Sequence, residues 1–264
     1  MSALAELFPS GDFRFHLTLR RQEPDGFFRP HDPSGEVIAE RRRWLAAEPG
    51  RHAALLPDGI PVFEEFSALA AEWAPPVPGI PGWDAIHQAG ARWEPDILFL
   101  RADAAGQFRL QGGALCFPTG WALEEKLGQT LDFIHGPVPG LNAAIGGPIQ
   151  QFLGRMKPGG AFFRDNWGIA ASDELNLHPA RRLAAPTLPV DMERLWLRVE
   201  HQVLLALPQS GGIVFGIRIA RHRLDTVARD PAAAGLRQAL ETMPAAVAAY
   251  KRLEAIRAEL IRRL

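Results

Sequence analysis

Five strand-like segments, arranged along the chain as two and then three, constrain the fold of this sequence most strongly. The first two, at 96–101 and 108–117, are separated by ADAAGQ, which is typical of a hairpin turn. Short helical stretches broken by glycine and proline follow. Three further strand-like runs then occur at 161–170, 195–207 and 212–220. We therefore expect an α+β fold in which an antiparallel five-stranded sheet carries short helices across one face.

The regions on either side of these strands differ from them in character. Residues 1–95 are rich in proline and contain one helical pattern near 61–74, so we expect an N-terminal wrap, irregular and partly helical, packed on the core. Residues 96–223 are expected to form the core. Residues 224–264 are expected to form a helical tail, whose final basic residues suit a helix C-terminus. With 264 residues and 47% hydrophobic residues, the chain is long enough to bury such a core.

Charge and cysteine content exclude several classes of function. A formal net charge of −1 gives no electrostatic reason to expect nucleic acid or a membrane surface as partner. The single Cys116 excludes an internal disulfide and a multi-cysteine metal site. No signal-peptide pattern and no apolar run of about 18 residues is present, so we expect a cytoplasmic protein. Cys116 lies in the apolar stretch GGALCFP, which favours a small core residue over a nucleophile and leaves an iron-ligating thiolate as the alternative.

Polar residues alternate with apolar ones on the later strands. In 195–207, alternation places Arg198, Glu200 and Gln202 on one face and apolar residues with His201 on the other. In 161–170, Arg164 and Asn166 likewise share a side, opposite Asp165 and Trp167.

The hairpin that joins the last two strands determines what else shares this face. If it closes through PQSGG, Arg218 lies on the same side as Gln202 and diagonal to Glu200. The simplest interpretation of the resulting patch is a solvated sheet face with an ion pair. Arg164 and Asn166 have either a structural role at the surface or form a site for a carboxylate, because a guanidinium group forks onto two oxygens.

The stretch DFIHGPVPG places a histidine at the end of a helix. Prolines follow immediately, so the helix must end near Gly136. The restricted backbone after the helix therefore holds His135 in place. There is no HExxH, no CxxC and no glycine-rich phosphate loop, which argues against a zinc hydrolase or a nucleotide enzyme. His135 is therefore either a structural residue or a haem-iron ligand, for which one imidazole suffices inside apolar walls. Candidate wall residues are Ile134, Val138, Leu141, Phe152 and Leu153.

Several ordered motifs between residues 93 and 220 carry a resemblance to a known family. LCFPTGWALEEKLGQTLDFIHGPVPG, FRDNWGI, LHP and LRVEHQVLLALPQSGGIVFGIR resemble the haem-dependent oxidative N-demethylase family, long labelled only as a domain of unknown function. The resemblance implies a PAS-like core that binds haem b, with a histidine as axial ligand. It also implies oxidative removal of a methyl group from a small secondary amine such as dimethylamine, which releases formaldehyde.

Site residues follow from the same resemblance. His135 corresponds to the proposed iron ligand, and His178 in LHP is the second choice. The catalytic candidates are Glu200, which would hold the alkylammonium cation, and Arg198. The other cofactor-binding candidates are Arg164, Asn166, Arg218, Val138 and Phe152, with Gln202 a further polar candidate. Aromatic contacts to the amine are expected from Trp121, Phe117 or Trp167.

The implied reaction needs partners that this chain does not supply. Oxygen and electrons would come from O2 with a separate flavin or iron–sulfur reductase, or from peroxide directly. Two alternatives are a PAS-type sensor that binds haem or another small ligand, and a non-catalytic subunit that has kept the fold.

Overall fold

A single antiparallel sheet is the central element of the structure, a computed structural model that describes residues 3–8, 12–74 and 79–264. The described part of the chain contributes seven strands to it, two more than predicted. They are β1 (Arg20–Arg21), β2 (Ala53–Leu55), β3 (Asp96–Ala102), β4 (Phe108–Ala114), β5 (Ala161–Ala170), β6 (Trp196–Ala206) and β7 (Ile213–Arg223). Their order across the sheet is β1-β5-β6-β7-β3-β4-β2.

The five predicted strands are the five central strands β3 to β7. The predicted alternation on β5 and β6 is confirmed, because Arg164 pairs with Gln202 and Asn166 pairs with Glu200. Directly paired residues of an antiparallel ladder share a face. Arg164, Asn166, Glu200 and Gln202 therefore lie on one face of the sheet, which we call the Glu200 face.

The predicted register between β6 and β7 was wrong by one residue. Ala206 pairs with Ile213, so the connecting loop spans 207–212 and includes Leu207, whose N–H donates to the Gly212 carbonyl at 2.9 Å. The loop is therefore one residue longer than PQSGG. A slip of one residue exchanges the two faces of a strand. Arg218 consequently pairs with His201 and lies on the face opposite Glu200.

The N-terminal region is more regular than the predicted wrap. It supplies α1 to α5, and its two short strands extend the sheet at both edges, with β1 on β5 and β2 on β4. The helices are α1 (Asp25–Phe28), α2 (Glu36–Ala47), α3 (Pro49–His52), α4 (Ile60–Leu69) and α5 (Ala85–Gly90). Short 3-10 turns cover Ala3–Leu7, Pro57–Gly59 and Ala70–Glu72. The helix expected near 61–74 corresponds to α4 and the turn after it, while the domain boundaries at 95 and 223 stay predictions.

Helices between β4 and β5 cover the Glu200 face. They are α6 (Leu123–Lys126), α7 (Leu131–His135), a π-helix (Asn142–Gly146) and α8 (Gly147–Arg155). Ile134 of α7 and Phe152 of α8 pack in the same apolar cluster as Leu204 of β6. Since Leu204 shares a face with Glu200, α7 and α8 lie across that face.

The remaining helices pack on other parts of the sheet. They are a 3-10 turn (Pro179–Arg181), α9 (Leu224–Val227), α10 (Ala232–Thr242), α11 (Ala245–Tyr250) and α12 (Arg257–Arg263). Residues of α10 to α12 pack with Leu197 and Val199 of β6, on the face opposite Glu200. In the described ranges, no helix has the length and apolar character needed to cross a membrane.

Candidate functional site

His135 ends α7 as predicted, and its imidazole is unpaired. Thr130 caps the start of this helix by accepting the Phe133 N–H at 3.3 Å, and the His135 carbonyl accepts the Val138 N–H at 2.9 Å in the exit turn. The His135 ring is half-buried and makes no hydrogen bond within the described residues. Burial lowers its pKa, and the positive charge of Arg164 acts in the same direction. Both effects favour a neutral imidazole, the form that binds metal.

Arg164 presents an unpartnered guanidinium group close to this histidine. Its side chain is half-buried and forms no hydrogen bond or ion pair with any described residue. Burial lowers the pKa of Arg164, and the carboxylates of Glu200 and Asp165 partly offset that effect. A buried cation without a partner is unusual, because its desolvation is costly. Such a group is well suited to receive a carboxylate from a ligand.

Glu200 is held by two amide side chains on the Glu200 face. Asn166 Nδ2 donates to Glu200 Oε2 at 3.1 Å, and Gln202 Nε2 donates to the same oxygen at 2.8 Å. The residue is only 8% exposed. Its second oxygen, Oε1, accepts no hydrogen bond from the described residues, so one carboxylate oxygen is free for a cation. The sequence predicted that these residues share a face but not that both amides bind the carboxylate.

Arg198, in the same strand as Glu200, connects two loops through its hydrogen bonds. It is 2% exposed and uses four of its five N–H donors on two loops. The acceptors are Thr119 Oγ1 at 2.9 Å and the carbonyls of Phe117 at 2.8 Å, Glu174 at 3.1 Å and Leu175 at 2.7 Å. Burial lowers its pKa to about 10. The catalytic role predicted for Arg198 stays a prediction, and these bonds support a role in joining the two loops instead.

Arg218 lies outside the candidate site. On the face opposite Glu200 it pairs with Glu94 and donates to the carbonyls of Phe27 at 2.8 Å and Arg29 at 2.6 Å. The expected proximity to Glu200 was therefore wrong, because the longer β6–β7 loop reversed its side of the sheet.

The two alternative iron ligands, His178 and Cys116, are both buried and make contacts with other groups of the protein. His178 is buried, its Nδ1 accepts the Ala180 N–H at 3.2 Å, and its Nε2 lies 3.2 Å from Glu124. Cys116 is fully buried and burial raises its pKa to about 12. A core role for Cys116, the favoured prediction, is confirmed. Of the histidine and cysteine candidates, His135 alone offers an unpaired ring or thiol with partial exposure.

Apolar side chains line the region between α7, α8 and the sheet. Phe152 stacks edge-on against Phe162 with ring centroids 5.0 Å apart, and it joins Ile134 in the cluster beneath the helices. Val138 is half-buried in the exit turn of α7. A cavity of about 250 Å³ borders Phe152 and Phe162, but its lining also includes Arg21, Arg155 and Lys157 and does not include His135.

The three aromatic candidates for amine contact lie in different places. Trp121 packs in the cluster beneath α7 and α8. Trp167 lies on the opposite face, where its ring contacts Phe8 and Lys251 Nζ, and Phe117 is buried below Arg41. Trp121 is thus the one that shares a cluster with the candidate site.

Two residues near the site carried no recognisable signal in the sequence. Lys251 follows α11, donates to the Trp167 carbonyl at 2.7 Å, and has a pKa lowered to about 8 by burial, an effect that the charge of Glu200 opposes. His16 lines a cavity of about 60 Å³ together with Arg164. His16 lies in no motif or periodic segment, so long-range packing alone brings it to Arg164. Lys251 lies in the predicted helical tail and packs on Trp167, on the face opposite Glu200.

The described side chains include the kinds of group that a b-type haem needs. Such a haem needs one axial nitrogen, apolar contacts for the porphyrin and cationic partners for its propionates. His135 offers an unpaired imidazole, Ile134 and Phe152 offer apolar surface, and Arg164 offers an unpartnered cation. Within the described ranges, no group of three or more His, Cys, Asp or Glu side chains is arranged to hold a metal ion. A single-histidine site therefore agrees with the chemistry available here.

A comparison with protein families agrees with this chemistry. The family model described as haem-dependent oxidative N-demethylase, alpha subunit-like, matches residues 68–261, which is well over half of the 264 residues. The match includes strands β3 to β7, together with His135, Arg164 and Glu200. The chain therefore belongs to the haem-dependent oxidative N-demethylase, alpha subunit-like family.

Proposed function

We propose that this chain binds haem b through His135 and removes a methyl group oxidatively from a small secondary amine such as dimethylamine, with release of formaldehyde. The proposal is carried by two side chains that have no hydrogen-bond or ion-pair partner among the described residues, the imidazole of His135 in α7 and the guanidinium group of Arg164 on the Glu200 face, in a chain of this family. The chain order of two strands, helices and three strands supports a PAS-like core.

Two polar side chains without a partner among the described residues, and two apolar side chains, would hold the haem. His135 would bind the iron, Arg164 would bind a propionate, and Val138 and Phe152 would contact the porphyrin. When bound, the haem supplies the oxidation of the N-methyl group with O2 or peroxide. Electrons would come from a separate flavin or iron–sulfur protein, and the alpha-subunit description of the family supports the existence of further subunits.

Glu200 would hold the substrate as an ammonium cation. Burying a cation is costly without a counter-charge, and Glu200 offers Oε1 for this purpose. Asn166 and Gln202 hold the other oxygen, so the carboxylate is oriented before the amine arrives. We assign Asn166 to this orientation in place of direct contact with the cofactor, since its amide is already bound to Glu200. Trp121 would add an aromatic contact to the cation.

Replacing His135 tests the proposal directly. The apoprotein is titrated with haemin, and the Soret band is followed for the wild type, His135→Gly and the exposed control His31→Ala. We expect His135→Gly to lose at least tenfold in haem affinity and to regain the wild-type spectrum when free imidazole is added, because imidazole fills the vacated position. Wild-type affinity and spectrum in His135→Gly would show that His135 is structural.

Turnover separates the enzyme from the two alternatives. Loaded wild-type protein is mixed with dimethylamine and peroxide, and formaldehyde is measured. Formation of more than one formaldehyde molecule per protein molecule would support an enzyme, because it requires repeated turnover. Haem loading without formaldehyde would favour a sensor or a non-catalytic subunit.

A further inference from the structure

The N-terminal segment 12–21, here called the strap, runs along the outer edge of the sheet beside β5. Its end joins the sheet as β1, where Arg20 pairs with Phe163 and Arg21 with Phe162. Its start is tied to α10, because the Phe13 N–H donates to Thr242 Oγ1 at 2.7 Å. The strap is therefore held at both ends. It lies outside the matched family region, which begins at residue 68.

The strap and β5 enclose a small cavity at Arg164. The cavity measures about 60 Å³ and is lined by Glu6, Leu7, His16, Thr18, Arg20, Arg164 and Asp165. This volume holds a carboxylate group or a few water molecules and is far too small for a porphyrin. His16 and Arg164 both line this cavity. Burial lowers the pKa of His16, and the positive charge of Arg164 acts in the same direction.

Arg164 forms no ion pair with the described side chains that line this cavity. One oxygen of the Asp165 carboxylate forms an ion pair with Arg20 at 2.6 Å, and the other lies 2.6 Å from His201 Nδ1. Glu6 lines the rim with an exposed side chain and forms no ion pair with Arg164. Among the described residues, the guanidinium group of Arg164 therefore has no direct ion-pair partner, although the carboxylates of Glu200 and Asp165 act on it at longer range.

His16 is oriented by its neighbour on the strap. Thr18 Oγ1 lies 2.7 Å from His16 Nδ1. When the hydroxyl donates to Nδ1, the proton of the neutral ring is on Nε2, which is then a donor. Arg164 and His16 together offer the donors that a carboxylate binds best.

We propose that the strap completes a carboxylate subsite at Arg164, in which His16 donates to the bound carboxylate and Thr18 orients His16. Two sources share this chemistry: a propionate of the haem, and a small free carboxylate. The first source rests on the proposed function, and the second does not.

Titration of the apoprotein with haemin and with haemin dimethyl ester, whose carboxylates are blocked, tests the propionate. The proteins are the wild type, His16→Gln, Arg164→Gln and the control Gln22→Ala, one residue beyond the strap, whose side chain is exposed. We expect His16→Gln to weaken haemin binding about tenfold, Arg164→Gln to weaken it at least as much, and Gln22→Ala to leave it unchanged. Ester binding should be the same in all four. An equal loss for haemin and ester would overturn the assignment, because the ester offers no carboxylate.

A titration of the haem-free proteins with acetate tests whether the subsite binds a small free carboxylate. Binding is followed by the NMR chemical shifts of the protein. Shifts at His16 and Arg164 in the wild type, together with loss of the Arg164 shift in His16→Gln, would support that source. Wild-type behaviour of His16→Gln towards both haemin and acetate would overturn the subsite. If the wild type binds no haemin, the proposed function fails while the acetate experiment still decides on the strap. Equal thermal midpoints of the apoproteins confirm that each variant is folded.

Discussion

Asn166 binds Glu200 across the β5–β6 ladder, with Nδ2 of the amide 3.1 Å from Oε2 of the carboxylate. Gln202 binds the same oxygen from the same strand as Glu200. Both donors are neutral, so they orient the carboxylate and leave its charge uncompensated by an ion pair. The other oxygen is left for a cation, and this asymmetry is the basis of the substrate role proposed for Glu200.

Glu200→Gln should weaken amine binding without affecting haem. The glutamine carbonyl can still accept from Asn166 and Gln202, but the negative charge is gone. Hydrogen bonds to charged groups contribute about 1.5–3 kcal/mol, which corresponds to a loss of roughly 10- to 100-fold in affinity for dimethylamine. The measurement is the spectral titration of loaded protein with the amine, beside a haemin titration. Unchanged amine affinity would show that Glu200 does not contact the substrate.

Arg198→Lys should destabilise the protein strongly. Lysine has one ammonium group in place of the planar guanidinium group of arginine. It therefore cannot donate hydrogen bonds to Thr119 and to all three loop carbonyls at the same time. We expect a loss of about 2–4 kcal/mol in the free energy of unfolding, because buried acceptors are left unpaired. Urea unfolding of the apoprotein measures this, with Arg194→Lys as the exposed control. A loss below about 0.5 kcal/mol in Arg198→Lys would contradict the structural role.

His52 should make stability fall in mild acid. The ring is fully buried, its Nδ1 donates to the Leu115 carbonyl at 2.9 Å, and burial lowers its pKa below the ordinary 6.5. Below about pH 6.5 the unfolded chain binds a proton that the folded protein does not. Stability contributed by this residue is therefore present above that pH and is lost as the pH falls, by up to about 1.4 kcal/mol per pH unit.

The His52 contribution is measured by comparing urea unfolding at pH 7.5 and 5.5 in the wild type and in His52→Asn. Asparagine keeps a donor for the Leu115 carbonyl but does not titrate. The variant should therefore lose less stability than the wild type between the two pH values. An equal loss in both proteins would assign the acid sensitivity to other groups.

Cys116 should be unreactive in the folded protein. Its thiol is fully buried and its pKa is raised to about 12, so almost no thiolate is present at pH 8. Alkylation by iodoacetamide, followed by mass spectrometry, should be slow under native conditions and complete in denaturant. Rapid labelling of the native protein would show that the core around Cys116 opens readily.

Local pattern alone predicted much of this fold. Period-two alternation identified the five central strands and placed Arg164 and Asn166 on the same face as Glu200, because alternation needs no knowledge of distant residues. The proline-stiffened end of α7 was also predictable, since proline restricts the residue before it. The motifs in this part of the chain were enough to indicate the family.

Tertiary structure decided which of these side chains are available for chemistry. One additional loop residue placed Arg218 on the face opposite Glu200. Arg198 donates hydrogen bonds to four acceptors in two loops, and the His178 ring lies within hydrogen-bond distance of Glu124. The strap brought His16 to Arg164 from outside the predicted core. Each of these outcomes depends on loop length or on contacts between residues far apart in the chain, and neither is encoded in the local periodicity of a strand or a helix.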